Sequence, residues 1–270
     1  MSNVLVLDSV THLLPEHAGH VAYCASHGGT YAAYLAATFG IGALILNDAG
    51  IGRERAGIAG LALLQQFGVA AAAIGHQSAR IGDGADGFAR GTLSFCNATA
   101  TRLGLQVGMS CATALHHLAE SPHTPSPRPA AMEESRFDIA DAGTPAIRVV
   151  GIDSVSLVKP GDAGHIVITA SHGGLLGNRP ETAIKFDVRA AVFNDAGGGI
   201  DNAGFTRLPA LDARGIAGAC VSCFSARIGD ARSAWHDGFI SALNRTAIGR
   251  GGLIGQSCRE FVTAMAASGA

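Results

Sequence analysis

The chain has 270 residues, of which 48% are hydrophobic and only 15% are charged, and its formal net charge is −2. A chain of this length and apolar content can bury a large core, as one two-lobed unit or as two domains. The near-zero net charge excludes the basic footprint that nucleic-acid binding requires. No apolar run is as long as a membrane span, and no basic region precedes an apolar core at the N-terminus. We therefore expect a cytoplasmic protein with neither nucleic-acid nor membrane partners.

The low charge content also bears on assembly. So few charges on so apolar a chain indicate that other subunits cover part of the surface, which predicts a homo-oligomer. The six cysteines lie mostly in apolar runs, as small buried hydrophobic residues do. Cys220 and Cys223 form a single CxxC with no second copy elsewhere, which argues against a zinc ribbon.

Short apolar runs alternate with stretches of helical spacing along the first half of the chain. Strands are predicted at residues 4–7, 21–25, 43–46 and 69–74, and helices at 30–39, 55–67 and 110–118. The second half repeats this order, with strands at 166–170, 190–193 and 216–223. Short strands without polar alternation, set between helices, predict a parallel sheet covered on both faces.

An internal repeat relates residues 4–118, the first half, to residues 149–265, the second half. The offset is 145 residues at the start and 147 after a two-residue insertion. Three polar motifs recur: Ser26-His27-Gly28-Gly29 as Ser171-His172-Gly173-Gly174, Asn47-Asp48-Ala49-Gly50 as Asn194-Asp195-Ala196-Gly197, and Ser78-Ala79-Arg80-Ile81-Gly82-Asp83 as Ser225-Ala226-Arg227-Ile228-Gly229-Asp230. The apolar runs differ freely between the halves, because a core needs only matched volume and period.

These observations predict an internally duplicated α/β protein. Two pseudo-twofold-related lobes, residues 1–118 and 149–270, should each carry a mainly parallel sheet flanked by helices. A Pro-rich linker at 119–148 should join them, with a short helix expected over 132–137.

Each polar motif follows a predicted strand, so in a parallel sheet the three motifs of one half meet at one edge. After each Ser-His-Gly-Gly motif the pattern becomes helical, and a helix N-terminus favours an anion. We expect His27 and His172 to transfer protons, with Asp48 and Asp195 orienting them or acting directly. We expect the substrate to be bound by Ser26, Gly28, Gly29, Ser78, Arg80, Ser171, Gly173, Gly174, Ser225 and Arg227.

Each of these residue types also has a purely structural interpretation. The histidine could cap a turn, Asp48 could be the N-cap of the next helix, and Arg80 could pair locally with Asp83. The attacking group could be a serine, a cysteine or an activated water.

No metal or cofactor is predicted. The motif histidines and aspartates show no HxH, HxxxH or DxD spacing. The dinucleotide fingerprint GxGxxG is missing after the first strand, as is GxxxxGK[ST], which argues against a dehydrogenase or a kinase.

The favoured function is a metal-independent hydrolase or lyase that acts on a small anionic metabolite, with amide or ring C–N bond cleavage as one form. A second hypothesis rests on Cys111 and Cys258, which occupy equivalent positions in the two halves. This pairing resembles two-lobed racemases of the aspartate/glutamate type, which place one cysteine on each side of a substrate carbon; the rest of the chain does not match. A third hypothesis is a non-catalytic small-molecule-binding protein.

Overall fold

The computed structural model describes residues 4–122, 127–139, 142, 144 and 146–268. The described residues of the first half form a five-stranded sheet with the spatial order β1-β2-β3-β4-β5. Its first four strands are mutually parallel, and the last is antiparallel to its neighbour. The strands are β1 (Val4–Leu7), β2 (Val21–His27), β3 (Ala43–Asn47), β4 (Ala70–Ile74) and β5 (Leu93–Cys96).

The described residues from Arg136 onward form a six-stranded sheet with the order β11-β10-β9-β8-β7-β6. The four inner strands are parallel, and both edge strands are antiparallel to their neighbours. The strands are β6 (Arg136–Asp138), β7 (Val149–Ile152), β8 (Ile166–His172), β9 (Ala190–Asn194), β10 (Ala217–Val221) and β11 (Ile240–Leu243). A mixed α/β fold with mostly parallel strands is therefore confirmed.

Helices flank both sheets. The α-helices are α1 (Thr30–Thr38), α2 (Ala59–Gln66), α3 (Gly84–Arg90), α4 (Ala98–Arg102), α5 (Cys111–Glu120), α6 (Arg207–Asp212), α7 (Ala231–Asp237), α8 (Arg245–Gly249) and α9 (Cys258–Ala267). Short 3-10 segments lie at Val10–His12, Pro15–His17, Arg53–Ile58, Val155–Leu157, Pro160–Asp162, Pro180–Thr182 and Ile200–Phe205.

Both faces of the first sheet are covered, which explains its unalternating apolar strands. Leu44 and Leu46 of β3 pack with α1 and α2 on one face, and Ile45 packs with α5 on the other. Successive strand residues point to opposite faces, so a strand buried on both sides must be apolar throughout. The second sheet has the same two-sided core.

Three expectations about local structure are wrong. Residues 136–138 form strand β6 beside β7 instead of a helix, because pairing with the sheet edge outweighs local propensity. The predicted helix at 55–67 begins only at Ala59, since Glu54 and Arg55 have positive φ angles of 53° and 59°.

The third wrong expectation is the helix after the second Ser-His-Gly-Gly motif. Residues 175–186 form turns and the 3-10 segment Pro180–Thr182, whereas α1 follows the first motif. Pro180 has no N–H group and disfavours helical geometry at Arg179, so a helix cannot run through this point.

The predicted linker is only partly described. Residues 123–126, 140, 141, 143 and 145 lie outside the described residues. The part that is described includes residues 127–139, which run into β6. In the described ranges, no helix combines the length and the apolar character needed to cross a membrane.

The two halves pack directly against each other. Ala49 and Ile81 of the first half share a small apolar cluster with Ala196, Ala203 and Ile228 of the second. Two of the backbone hydrogen bonds that cross the same boundary are equivalent: Arg53 N–H donates to the carbonyl of Cys223 at 2.7 Å, and Ile200 N–H donates to the carbonyl of His76 at 2.9 Å. Positions 53 and 76 correspond to 200 and 223 at the offset of 147, so the same contact is made in both directions.

Candidate functional site

A cavity of about 450 Å³ lies between the two halves. Its size falls within the range of small-molecule pockets. Residues from each half and from the segment that joins them line it. The polar and charged ones are Ser9, Thr11, Ser26, His27, Tyr31, Glu134, Asp153, Ser154, Ser156, Ser171, His172, Glu181, Thr182, Lys185 and Arg207.

His27 and His172 reach this cavity because each ends a parallel strand. His27 is the last residue of β2 and His172 the last of β8. In both strands the pairing register shifts just before the histidine, which pairs with Asn47 or Asn194. Such irregularities re-aim a side chain at the end of a sheet. The structure thus brings both predicted histidines to one cavity.

A backbone hydrogen bond fixes the tautomer of each imidazole. Gly29 N–H donates to Nδ1 of His27 at 3.1 Å, and Gly174 N–H donates to Nδ1 of His172 at 3.2 Å. Since Nδ1 accepts in both rings, a neutral imidazole carries its proton on Nε2. Among the described residues neither Nε2 has a hydrogen-bond partner, so each ring keeps one N–H donor for a ligand.

Both histidines are neutral at physiological pH. Burial lowers the pKa of His27 to about 4. Burial also lowers the pKa of His172 well below its ordinary value, and the positive charge of Arg207 and the proximity of His27 lower it further. Removing a cation from water and placing it near another cation both favour the uncharged ring.

The motif glycines serve the fold. Gly28 N–H donates to the carbonyl of Asn47 at 2.8 Å. A Cβ on Gly28 would lie 2.7 Å from the carbonyl oxygen of Gly57, and one on Gly173 would overlap Gly204. Only glycine fits where two backbones approach so closely. The Gly28 and Gly29 N–H groups are therefore already used inside the protein.

The motif serines hold a neighbouring turn against the strand end. Ser26 Oγ accepts from the N–H of Val10 at 2.9 Å, and Ser171 Oγ accepts from the N–H of Val155 at 2.9 Å. Both serines line the cavity. Each positions a turn that also contributes to the cavity wall.

Arg207 is the most distinctive side chain of the cavity. It is 1% exposed, and its guanidinium donates to the backbone carbonyls of His172, Thr182 and Ala183. Its carbon Cζ lies 5.2 Å from the ring centre of Phe193. Burial lowers the pKa of Arg207 to about 10, so the group stays charged at neutral pH. Within the described part of the chain no carboxylate pairs with it.

Asp48 and Asp195 lie outside the cavity lining. Asp48 Oδ1 accepts from the N–H of Gly50 at 3.0 Å, the N–H of His76 at 2.9 Å and Nδ1 of His76 at 2.8 Å. Asp195 Oδ1 likewise accepts from the N–H groups of Gly197 at 3.0 Å and Cys223 at 2.8 Å. Both carboxylates fix loops at the boundary between the halves.

The motif arginines also pair across that boundary. Arg80 binds Asp201, and Arg227 binds Glu54. Arg227 and His27 share the lining of a smaller cavity of about 240 Å³. Ser78 donates to the carbonyl of Gly75, and Ser225 donates to the carbonyl of Ser222. Both serines lie away from the main cavity. The substrate-binding roles predicted for these two serines and the two arginines stay predictions.

Cys111 and Cys258 lie in the separate cores of the two halves. Burial raises the pKa of each thiol to about 12. Each cysteine begins a helix whose N-cap is a serine, and neither lines the cavity. The structure does not bring the two thiols together at a ligand site.

Sequence reasoning missed Arg207 and Glu134. The repeat carried a signal for Arg207, since its counterpart 147 positions earlier is Gly60, and a charge that replaces glycine in one copy only is conspicuous. Glu134 lies in the predicted linker, where an acidic residue gives no local signal. Tertiary structure alone brings it to the cavity.

In the ranges that the structure describes, no three His, Cys, Asp or Glu side chains come together as a metal site requires. The chain matches no protein-family model, no curated protein and no solved structure. The function must therefore be argued from the cavity itself.

Proposed function

We propose that this protein is a metal-independent hydrolase or lyase that acts on a small anionic metabolite in the cavity between its halves, cleaving an amide or ring C–N bond. The observation that carries the proposal is the buried Arg207, which keeps its charge, has no carboxylate partner among the described residues and lines a cavity with two neutral histidines.

An anionic substrate group supplies what Arg207 lacks. A buried charge is costly unless it is paired, and three backbone carbonyls offset only part of that cost. Arginine also matches the planar geometry of a carboxylate. We expect the substrate carboxylate to bind here, with Lys185 at the exposed edge of the same cavity adding positive charge.

The two imidazoles supply hydrogen-bond donors for the reaction. In hydrolysis, water adds to the substrate carbonyl carbon and negative charge collects on the carbonyl oxygen. The Nε2–H groups of His27 and His172 stabilise that oxygen, each by a factor of about 10²–10³ in rate. The C–N bond then breaks as the proton released by the water passes to the departing nitrogen.

Titration calorimetry with succinate, succinamate and the neutral succinamide tests the anion site. We expect the two carboxylates to bind and the neutral diamide not to bind. Arg207→Gln should weaken succinate binding at least tenfold, Arg207→Lys should weaken it less, and the exposed control Arg102→Gln should leave it unchanged. Equal binding of all three compounds, or wild-type affinity in a folded Arg207→Gln variant, refutes the proposal.

A panel of small carboxylates tests turnover: those with an amide should release ammonia or an amine, and those with a cyclic imide should open to the amide acid. A non-catalytic binding protein would bind succinate through Arg207 and hydrolyse no member of the panel. Such a result would support the proposed anion site and refute the proposed enzymatic activity.

We further propose that the two halves are duplicated copies related by a pseudo-twofold axis. The repeated motifs, the shared strand order and the reciprocal Arg53–Cys223 and Ile200–His76 hydrogen bonds support this. Arg207 of the second half corresponds to Gly60 of the first, so only one copy supplies the arginine. We therefore expect a single anion site that residues of both copies line. An experimental structure whose halves superpose poorly strand by strand would reject the duplication.

We also propose a cytoplasmic homo-oligomer. Several large apolar side chains are more than half exposed, with Phe224 at 72%, Ile254 at 69% and Val107 at 66%. Light scattering should give a mass above the 27.3 kDa of one chain. A monomer mass at micromolar concentration contradicts the proposal.

A further inference from the structure

The segment between the halves contributes one carboxylate to the cavity. Glu134 lines the cavity together with His27, Tyr31 and Arg207. It is half-buried, unlike its exposed neighbour Glu133. No residue of the repeated motifs occupies this position, so Glu134 is a feature of the joining segment alone.

Glu134 is held in place by its neighbours. Ser135 N–H donates to Oδ2 of Asp153 at 2.7 Å, and Asp153 N–H donates back to the carbonyl of Ser135 at 3.1 Å. Arg136 begins strand β6 and forms a two-pronged ion pair with the buried Asp162, at 2.6 Å and 3.1 Å. Because Ser135 and Arg136 are both anchored, the backbone of Glu134 has little freedom to move away from the cavity.

We propose that Glu134 is the proton-transfer group of this site: it takes a proton from the attacking water and delivers it to the departing nitrogen. This inference rests on the proposed hydrolytic function. The carboxylate accepts the proton as the new C–O bond forms, and it returns the same proton to nitrogen as the C–N bond breaks, so Glu134 ends the reaction as the carboxylate with which it began.

The environment of Glu134 suits that role. Burial, together with the negative charge of Asp153, raises the pKa of Glu134 to about 7, while a hydrogen bond with Ser154 opposes the rise. A group that titrates near neutral pH both accepts and donates protons readily. The neutral histidines are weak bases, so they do not take the proton from the attacking water.

The titratable groups around the cavity are His27, Tyr31, Glu133, Asp153, His172, Glu181, Lys185 and Arg207.

Calorimetric titration of succinate at pH 7, in buffers with different ionisation enthalpies, tests whether Glu134 faces the anion. An added carboxylate near Glu134 raises its pKa further, so wild type should take up a fraction of one proton on binding. Glu134→Gln should abolish this uptake while succinate still binds. The matched control Glu133→Gln should behave as wild type.

Kinetics on any substrate that the amide panel reveals give the second readout. Glu134→Gln should lower kcat about 10²–10⁴-fold with little change in KM, and Glu134→Asp should restore part of the loss. Unchanged proton uptake, or wild-type kcat, in a folded Glu134→Gln variant overturns the inference. Loss of succinate binding in Arg207→Gln is a separate result, so failure of the role of Glu134 is distinguishable from failure of the anion site.

Discussion

Arg80 of the first half donates from Nε to Oδ2 of Asp201 in the second half at 3.0 Å. Arg227 of the second half makes the same kind of contact with Glu54 of the first, at 3.0 Å from Nη1 to Oε2. Positions 54 and 80 correspond to 201 and 227 at the offset of 147. These two partly exposed ion pairs are equivalent contacts between the halves, and Arg90 of the first half adds a second ion pair to Asp201 at 2.6 Å.

Breaking either pair should have a small, salt-sensitive effect, because exposed ion pairs contribute little and salt screens them. We expect Asp201→Asn and Glu54→Gln each to lower the melting temperature by less than ~3 °C at low salt. The difference should shrink at 1 M salt, where the Debye length falls to about 3 Å. Arg102→Gln, which removes an exposed arginine without a carboxylate partner among the described contacts, is the control. A large loss that salt does not reduce would contradict this interpretation.

The stability of the protein should fall as the pH drops below 6.5. The folded-state pKa of His27 is about 4 against an ordinary 6.5, so the unfolded chain binds the proton first. The stabilising contribution is complete above pH 6.5, decreases down to about pH 4 and is then constant. For His27 alone the loss is ~3 kcal/mol.

Urea unfolding of wild type and His27→Asn at pH 7 and pH 4.5 measures this loss. Asparagine keeps an acceptor for the Gly29 N–H but cannot be protonated, so the variant should be less sensitive to pH. His116→Asn, at a side chain that is 77% exposed, is the control. Equal pH dependence in wild type and His27→Asn would show that His27 is not buried as a neutral ring.

A methyl group on Gly173 should disrupt the second half. Its Cβ would overlap the Gly204 carbonyl and lie 2.8 Å from Sγ of Cys220. Overpacking of this kind costs about 1–3 kcal/mol. Gly249→Ala is the matched control, because nothing lies within 4 Å of that added carbon. Urea unfolding should show a clear loss for Gly173→Ala and no loss for Gly249→Ala; similar stability of the two variants would contradict the close approach.

Replacing Cys111 and Cys258 by serine should leave turnover within about twofold of wild type, because both thiols are buried away from the cavity. Each serine should still lower stability by about 1–3 kcal/mol, since a buried hydroxyl without a partner is costly. Amine release and thermal unfolding measure the two effects. If either folded variant loses turnover entirely, the racemase-type arrangement of the two thiols becomes the better hypothesis.

The sequence alone determined the mostly parallel α/β architecture. Apolar runs such as residues 43–46, with no polar alternation, are stable only as strands buried on both faces. The sequence also indicated that both histidines follow strands, and the ends of parallel strands share one edge of a sheet. His27 and His172 end strands of different sheets, however, and only the packing of the two halves brings them to one cavity.

The tertiary structure decided the composition of the cavity. Arg80 resembles an anion clamp in sequence, but Asp201 from the other half pairs with it, and no local pattern reveals a partner 121 residues away. Arg207 begins an α-helix and differs from its counterpart Gly60, but that difference does not show which ligand the arginine faces. Glu134 lies in the joining segment and has no sequence signal for a site. Only the packing of one half against the other determines which charges stay unpaired and face a ligand, because pairing and burial depend on neighbours that are distant in the chain.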